Sequence, residues 1–349
     1  VSDAPSTNVG LPWHQPLRGR LDEHVIDSVA LRGNPLGDPS ARPLLVYSPP
    51  GTERTALPVV YLIQGFTGQV DMWRNRAAFQ PNAIELIDEL FADPAVPPCR
   101  VAMVDCWTSV GGSQYVDSPG TGRYHSYLCE DVVGFVDARY PTLAHRDHRA
   151  ITGKSSGGYG AMITPMLRPD VFGALATHAG DALFELCYWR DVPEVVRVLR
   201  DSYDGSYQRF FADLRNRPAR SRPGDGVLRN MWAMAAAYSA DPDGTVRLPF
   251  DTSTGQMIAD VWQRWLAWDP VRMVPAHADA LRAMRGIYID AGSHDDFFLD
   301  LGATAFRDAL AGIGVTDVHF EVFDGTHGGI GYRYPVAIRY LAGRIAAVP

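Results

Sequence analysis

Lysine is nearly absent from this chain. Lys154 is the single lysine among 32 Lys and Arg residues, and the plain reading is a coding preference for Arg. The alternative is that Lys154 was retained for chemistry. There is no run of basic residues, and the formal net charge is −8. That balance argues against nucleic acid or an anionic membrane surface as a partner. Cysteine is also scarce. Cys99, Cys106, Cys129 and Cys187 are scattered, and none forms a C-x-x-C pair, which excludes the usual zinc and dithiol motifs. They read as buried apolar residues of a reducing compartment, with one disulfide left open. No apolar run approaches the ~18 residues of a membrane span. The first residues, Val1-Ser2-Asp3-Ala4-Pro5, carry neither a basic n-region nor an apolar h-region. A cytoplasmic location is therefore favoured over a processed secreted form. Internal repeats and low-complexity tracts are missing as well.

What remains is an ordinary globular composition, 46% hydrophobic and 21% charged over 349 residues. That length suits one large domain with an insertion, or two domains. Short apolar runs at 24–31, 43–47, 58–63, 101–104, 150–152 and 173–177 read as strands. Helical periodicity covers 83–91, 124–140 and 156–167, with Pro165 expected to bend the last helix or end it early. Such alternation implies a mostly parallel sheet with helices on both faces. It breaks over 181–278, which reads as helices without a convincing buried strand. Strands resume at 286–292 and 318–323. The expected organisation is an irregular segment at 1–22, an α/β core formed by 23–180 and 279–349, and a helical insertion, a cap or lid, at 181–278.

Gly153-Lys154-Ser155-Ser156-Gly157 spells G-x-S-x-G between a strand and a helix. The turn that joins them is so tight that only small residues fit on either side of the serine. It would hold the Ser155 hydroxyl at the sheet edge and aim the next N–H at whatever anion forms there. A serine becomes a nucleophile only when a histidine removes its proton, and that histidine needs a carboxylate partner. Both follow in the order such sites use. Ser293-His294-Asp295-Asp296 leaves one strand, and Asp324-Gly325-Thr326-His327-Gly328 leaves the next. Sites in open α/β sheets assemble at that edge.

Ser155 is the nucleophile candidate and Ser156 its rival; only Ser155 has glycine at both −2 and +2. His327 is the base candidate, between two glycines. His178 also ends a strand and could be the base or line the pocket, and His294 precedes the acid. Asp295 is the acid candidate, ahead of Asp296; Asp290 lies inside the strand. Oxyanion donors would be the N–H groups of Ser156 and of Phe66, the latter in Gln64-Gly65-Phe66-Thr67-Gly68 after the third strand. Gln64, Trp107, Gln114 and His178 are candidates to contact substrate. No metal and no cofactor is expected, because the histidines and carboxylates lack ligand spacing.

With these residues in place the chain resembles the putative-esterase branch of the α/β-hydrolases, which includes esterase D, feruloyl esterases, enterochelin esterases and mycolyltransferases. The resemblance spans roughly 40–345 apart from the insertion. It rests on Gly65-Phe66, Gly153 to Gly158, Gly292-Ser293-His294-Asp295 and Gly325-Thr326-His327. It implies an α/β-hydrolase fold and favours Asp295 over Asp296, since Gly-x-x-Asp resembles the family's placement of its acid. The loop from Gly111 to Tyr115 resembles the family's loop beside the substrate. Two departures stand out. Gln64 occupies a position where many relatives have His, and the Trp-rich insertion differs from esterase D. The expected activity is a serine carboxylesterase acting on a small-molecule ester. An acyltransferase with the same triad is the alternative, and a non-catalytic binding protein the remote one.

Overall fold

The computed structural model describes residues 16–76, 80–217 and 219–346. Eight strands form one sheet: β1 (Arg20–Asp27), β2 (Ala41–Ser48), β3 (Val59–Ile63), β4 (Arg100–Val104), β5 (Arg149–Lys154), β6 (Ala174–His178), β7 (Gly286–Gly292) and β8 (Val318–Phe323). Their order is β1-β2-β4-β3-β5-β6-β7-β8. β2 runs antiparallel to both β1 and β4, and every pair from β4–β3 to β7–β8 is parallel. The sheet stays open, as in α/β-hydrolases.

Alternation along the strands sorts the two faces. Val59, Tyr61 and Ile63 of β3 join one apolar core with Ile287, Ile289 and Ala291 of β7; Val60, Leu62 and Tyr288 join the other. The period of two that pleating imposes explains the split. Helix α1 (Ala83–Leu90), with a capping box of Asn82 and Glu85, covers the second face. Helix α2 (Ser156–Leu167), straight after β5, is buried on the first face along nearly its whole length. It continues two residues beyond Pro165, so the proline does not cut it short.

Between β6 and β7 come four helices of two turns or more: α3 (Val192–Tyr203), α4 (Tyr207–Asn216), α5 (Asp225–Tyr238) and α6 (Ala259–Leu266). Their apolar residues join the first core. Tyr159 of α2 packs edge-on against Tyr238 of α5 with ring centroids 5.7 Å apart, and Trp265 of α6 is fully buried. Helix α7 (Leu299–Gly312) follows β7, and α8 (Arg333–Ile345) lies on the second face.

Two expectations differ from the observed fold. The first strand runs from Arg20 to Asp27, about four residues earlier than its apolar content implies. Ala30 and Leu31 are buried, but in a turn anchored when the Ser28 hydroxyl donates to Asp131 (2.5 Å). The irregular N-terminal segment therefore stops before residue 20, and its first fifteen residues lie outside those described. The helical run at 124–139 contains a π-type turn over Tyr127–Val132, which no periodicity discloses. All four cysteines are free and buried.

Candidate active site

Ser155 sits between β5 and α2 with φ 59° and ψ −127°. A non-glycine residue held there costs about 1–3 kcal/mol. The neighbours leave no other course. A Cβ on Gly153 would lie 2.6 Å from the Gly157 carbonyl carbon and 2.7 Å from Ile63 O, and one on Gly157 would lie 2.6 Å from Ile63 O. Both flanking glycines are therefore sterically required. The Ser155 N–H donates to His178 O (3.0 Å) and Ala179 O (3.1 Å), which ties the turn to β6.

Two loops converge on this turn. A methyl on Gly65 would come within 3.5 Å of Ser155 Cβ, so the loop after β3 lies against the serine. Among the described residues, the N–H groups of Phe66 and Ser156 make no hydrogen bond. That of Ser156 opens helix α2, where the dipole favours negative charge. On the other side, a Cβ on Gly292 would lie 2.5 Å from Gly325 O. This close contact locks the loop after β7 to the loop after β8.

That contact brings His327 and Asp295 together. His327 Nδ1 lies 2.8 Å from Asp295 Oδ2, with the aspartate side chain fully buried and that of His327 13% exposed. Asp295 also accepts from the Phe297 N–H (2.8 Å), which fixes its orientation. The Phe297 ring stands edge-on to the imidazole at 4.8 Å. Asp296 is exposed, and its carboxylate accepts only the backbone N–H of His327 (3.3 Å). His294 points to solvent, toward Asp324. Ser155 Oγ makes no hydrogen bond with His327 or any other described residue. Lys154 is half-buried, and desolvation lowers its pKa, against the pull of Asp295 and Asp296.

The four candidate substrate contacts part company. Trp107 is half-buried and lines a groove of about 810 Å³ that also borders Phe66, Val110 and Gly111. Gln64 is 2% exposed. In the amide orientation that satisfies its surroundings, its oxygen accepts from Cys106 N–H (2.6 Å) and Trp107 N–H (2.9 Å), bracing the loop after β4. Gln114 is wholly buried and donates to Asp181 Oδ2 (3.2 Å) and Tyr238 OH (3.1 Å).

His178 is not at the site surface. It shares strand parity with Ala174 and Ala176, so its ring enters the core beneath α8. There it meets Tyr334 at 5.2 Å and Asp290 Oδ1 at 2.6 Å. Asp290 also accepts from Arg333 Nε (2.8 Å) and Tyr288 OH (2.9 Å). Burial opposes its ionisation, but His178 and Arg333 outweigh it and hold its pKa below the ordinary value.

One participant escapes sequence reasoning. Asp181, just past β6, is buried beside the elbow and accepts from Ser156 Oγ (3.1 Å) and Tyr188 OH (2.8 Å). Desolvation raises its pKa. An aspartate in a Gly-Asp loop carries no pattern that would distinguish it from a turn residue. Among the described residues no cluster of His, Cys, Asp and Glu could hold a metal ion, and no helix is long and apolar enough to cross a membrane.

A family model described as "Putative esterase" matches residues 39–328. Mouse S-formylglutathione hydrolase is 27% identical over 152 residues, which cover 41% of this chain and 53% of that enzyme. The match thus spans about half the length of this curated relative. A solved ferulic acid esterase superposes with a TM-score of 0.60 at 17% identity, covering 95% of this chain and all of that one. The S-formylglutathione hydrolase of Agrobacterium tumefaciens gives 0.56 at 17%, covering 95% and 98%. At such identities the structural likeness establishes the α/β-hydrolase fold.

Proposed function

The chain belongs to the putative esterase family, and from that premise we propose that it is a serine carboxylesterase with Ser155, His327 and Asp295 as its triad. The observation that carries the reading is the strained Ser155 backbone, φ 59° at the head of α2. A conformation that costs energy persists where surrounding structure enforces it, and such strain clusters at functional sites. The His327–Asp295 pair at the neighbouring strand ends supports the same reading.

Ser155 Oγ attacks the ester carbonyl carbon while His327 Nε2 takes the hydroxyl proton. Asp295 holds Nδ1–H, so that Nε2 is the free base, and stabilises the imidazolium. The carbonyl oxygen gains negative charge opposite the N–H groups of Phe66 and Ser156. The tetrahedral intermediate then collapses, the C–O bond to the alcohol breaks, and His327 returns its proton to the departing oxygen. Water enters, loses a proton to His327, and releases the acid from Ser155 by the same steps in reverse. The groove over Phe66 and Trp107 holds the organic part of the ester, with residues from 181–278 as one wall.

Labelling by a serine-directed phosphonate tests this reading. Wild type should lose activity and gain one adduct at Ser155, and Ser155→Ala should gain none. Labelling at Ser156 instead would overturn it. A panel of p-nitrophenyl esters of rising chain length then maps the groove. An acceptor alcohol that speeds turnover of the acyl-enzyme would assign acyl transfer rather than hydrolysis.

A further inference from the structure

The far wall of the groove is supplied by α4 and α5. Gln208, Phe211 and Arg215 lie on one stripe of α4 at helical spacing, and Arg229 and Trp232 sit three apart on α5. Phe211 and Trp232 meet edge-to-face at 5.4 Å. Trp232 is backed by Tyr207 at 4.8 Å. The aromatic surface is thus held before any ligand arrives.

Of the arginines in this part of the chain that make no ion pair with a described residue (Arg197, Arg215, Arg220 and Arg229), only Arg215 and Arg229 line the groove. Cations in this part of the chain are mostly neutralised: Arg217 by Asp213 and Asp225, Arg247 and Arg264 by Asp241, Arg272 by Glu185. Arg215 and Arg229 make no ion pair or side-chain hydrogen bond with any described residue, and both are exposed where they line the groove. The carboxylate one turn before Arg229 is Asp225, and it is already engaged by two nitrogens of Arg217 at 2.8 Å each. In a chain of net charge −8, two unmatched guanidinium groups at the mouth of an aromatic groove form a local positive site. The opposite wall, from Phe66 to Gly111, has no Asp or Glu among its lining residues, and the Asp38 carboxylate bonded to it is engaged by the Ser109 N–H (2.9 Å).

We propose that this groove selects esters whose apolar, ring-sized body carries an anionic group, held at the mouth by Arg215 and Arg229. Planar guanidinium groups match a carboxylate through paired N–H donors. The body stacks between Trp232 and Trp107, and the shared residue Phe66 sets the distance from the anchored end to Ser155. The cleavage part of this inference rests on the esterase reading; the binding part does not.

Two measurements keep them apart. Calorimetric titration with 4-phenylbutyrate and with its neutral amide reads binding without catalysis. Wild type and Ser155→Ala should both prefer the acid by about tenfold, the worth of one charge-assisted contact. Arg215→Gln and Arg229→Gln should each lose most of that preference, Arg215→Lys should keep part of it, and 0.5 M salt should weaken it. Hydrolysis of the acetyl esters of 4-hydroxyphenylacetate and of 4-hydroxyphenylacetamide then reads selectivity. The ratio of their kcat/KM values should fall about tenfold in either variant. An acid bound no better than its amide by wild type, or a ratio unchanged in Arg215→Gln/Arg229→Gln, overturns the inference and leaves the esterase reading intact. Acetyl-ester turnover that survives Ser155→Ala overturns that reading and leaves the anion site intact.

Discussion

Two histidine–aspartate pairs stand one strand apart in this molecule. His327 and Asp295 join the loops after β7 and β8; His178 and Asp290 sit on β6 and β7 themselves. Their Nδ1–O distances are alike, 2.8 and 2.6 Å. Their surroundings are not. Asp295 is bonded to the His327 ring and to the Phe297 N–H, and the imidazole reaches solvent. Asp290 is shared among His178, Tyr288 and Arg333, and the His178 ring is 1% exposed on its side chain, beneath α8. A carboxylate bonded to an imidazole is therefore not enough to mark a site. What distinguishes the candidate pair is that its ring reaches the surface, whereas Nε2 of His178 is buried without a partner.

The sharpest way to break this contrast is to remove each ring. His327→Ala and Ser155→Ala should each lower kcat by about 10⁶-fold, the scale seen when one member of such a unit is deleted. His178→Ala should keep kcat within about tenfold if the protein is refolded and assayed cold. Equal collapse of both histidine variants, in protein shown folded by circular dichroism, would erase the distinction.

The carboxylates come next. Asp295→Asn should cost about 10⁴-fold in kcat, through loss of the correct tautomer. Asp296→Asn should cost far less, because the Asp296 carboxylate bonds only the backbone N–H of His327. Stopped-flow hydrolysis of a p-nitrophenyl ester resolves both.

Stability should run the other way. Asp290→Asn breaks a buried network and should destabilise by about 3 kcal/mol in urea unfolding, whereas Asp295→Asn should shift the midpoint less. The pH dependence adds a sign. Asp290 has a folded pKa below its unfolded value, so its contribution is present above about pH 4 and lost as pH falls through the folded value. Asp181 is shifted upward by burial, so its contribution is present below about pH 4 and lost as pH rises. The stability gap between wild type and Asp290→Asn should accordingly shrink on acidification. Asp181→Asn should gain on wild type between pH 4 and pH 7. The smallest effect expected is that of Ser156→Ala, which loses a hydroxyl bonded to Asp181 but keeps its backbone N–H; most activity should remain.

The α/β architecture was legible because its signals are local. The helix at 156–167 and the strand at 318–323 agree with the structure at both ends, and G-x-S-x-G marks a turn that only glycine permits. The first strand was misplaced because it is an edge strand with Val25 facing solvent, so burial did not pick out its register. His178 was harder still. Parity puts alternate residues on opposite faces, but a single strand does not say which face holds the site. Gln64 and Gln114 look like ligand contacts in a linear chain, since nothing in sequence tells an amide that braces a loop from one that meets substrate. Asp181 and the arginine pair needed the fold, because α4 and α5 meet the groove only after the chain turns back over the sheet.

Helices α4 and α5 present two sides with separate duties. Tyr207, Phe210, Leu228 and Met231 are buried in the first core, while Phe211, Arg215, Arg229 and Trp232 line the groove. Adjacent positions thus answer to different demands, one to folding and one to recognition. A laboratory library that randomises only the exposed groove positions Gln208, Arg215 and Arg229 should search new specificities with little toll on expression, because Phe211 and Trp232, which also pack against the core, are left in place.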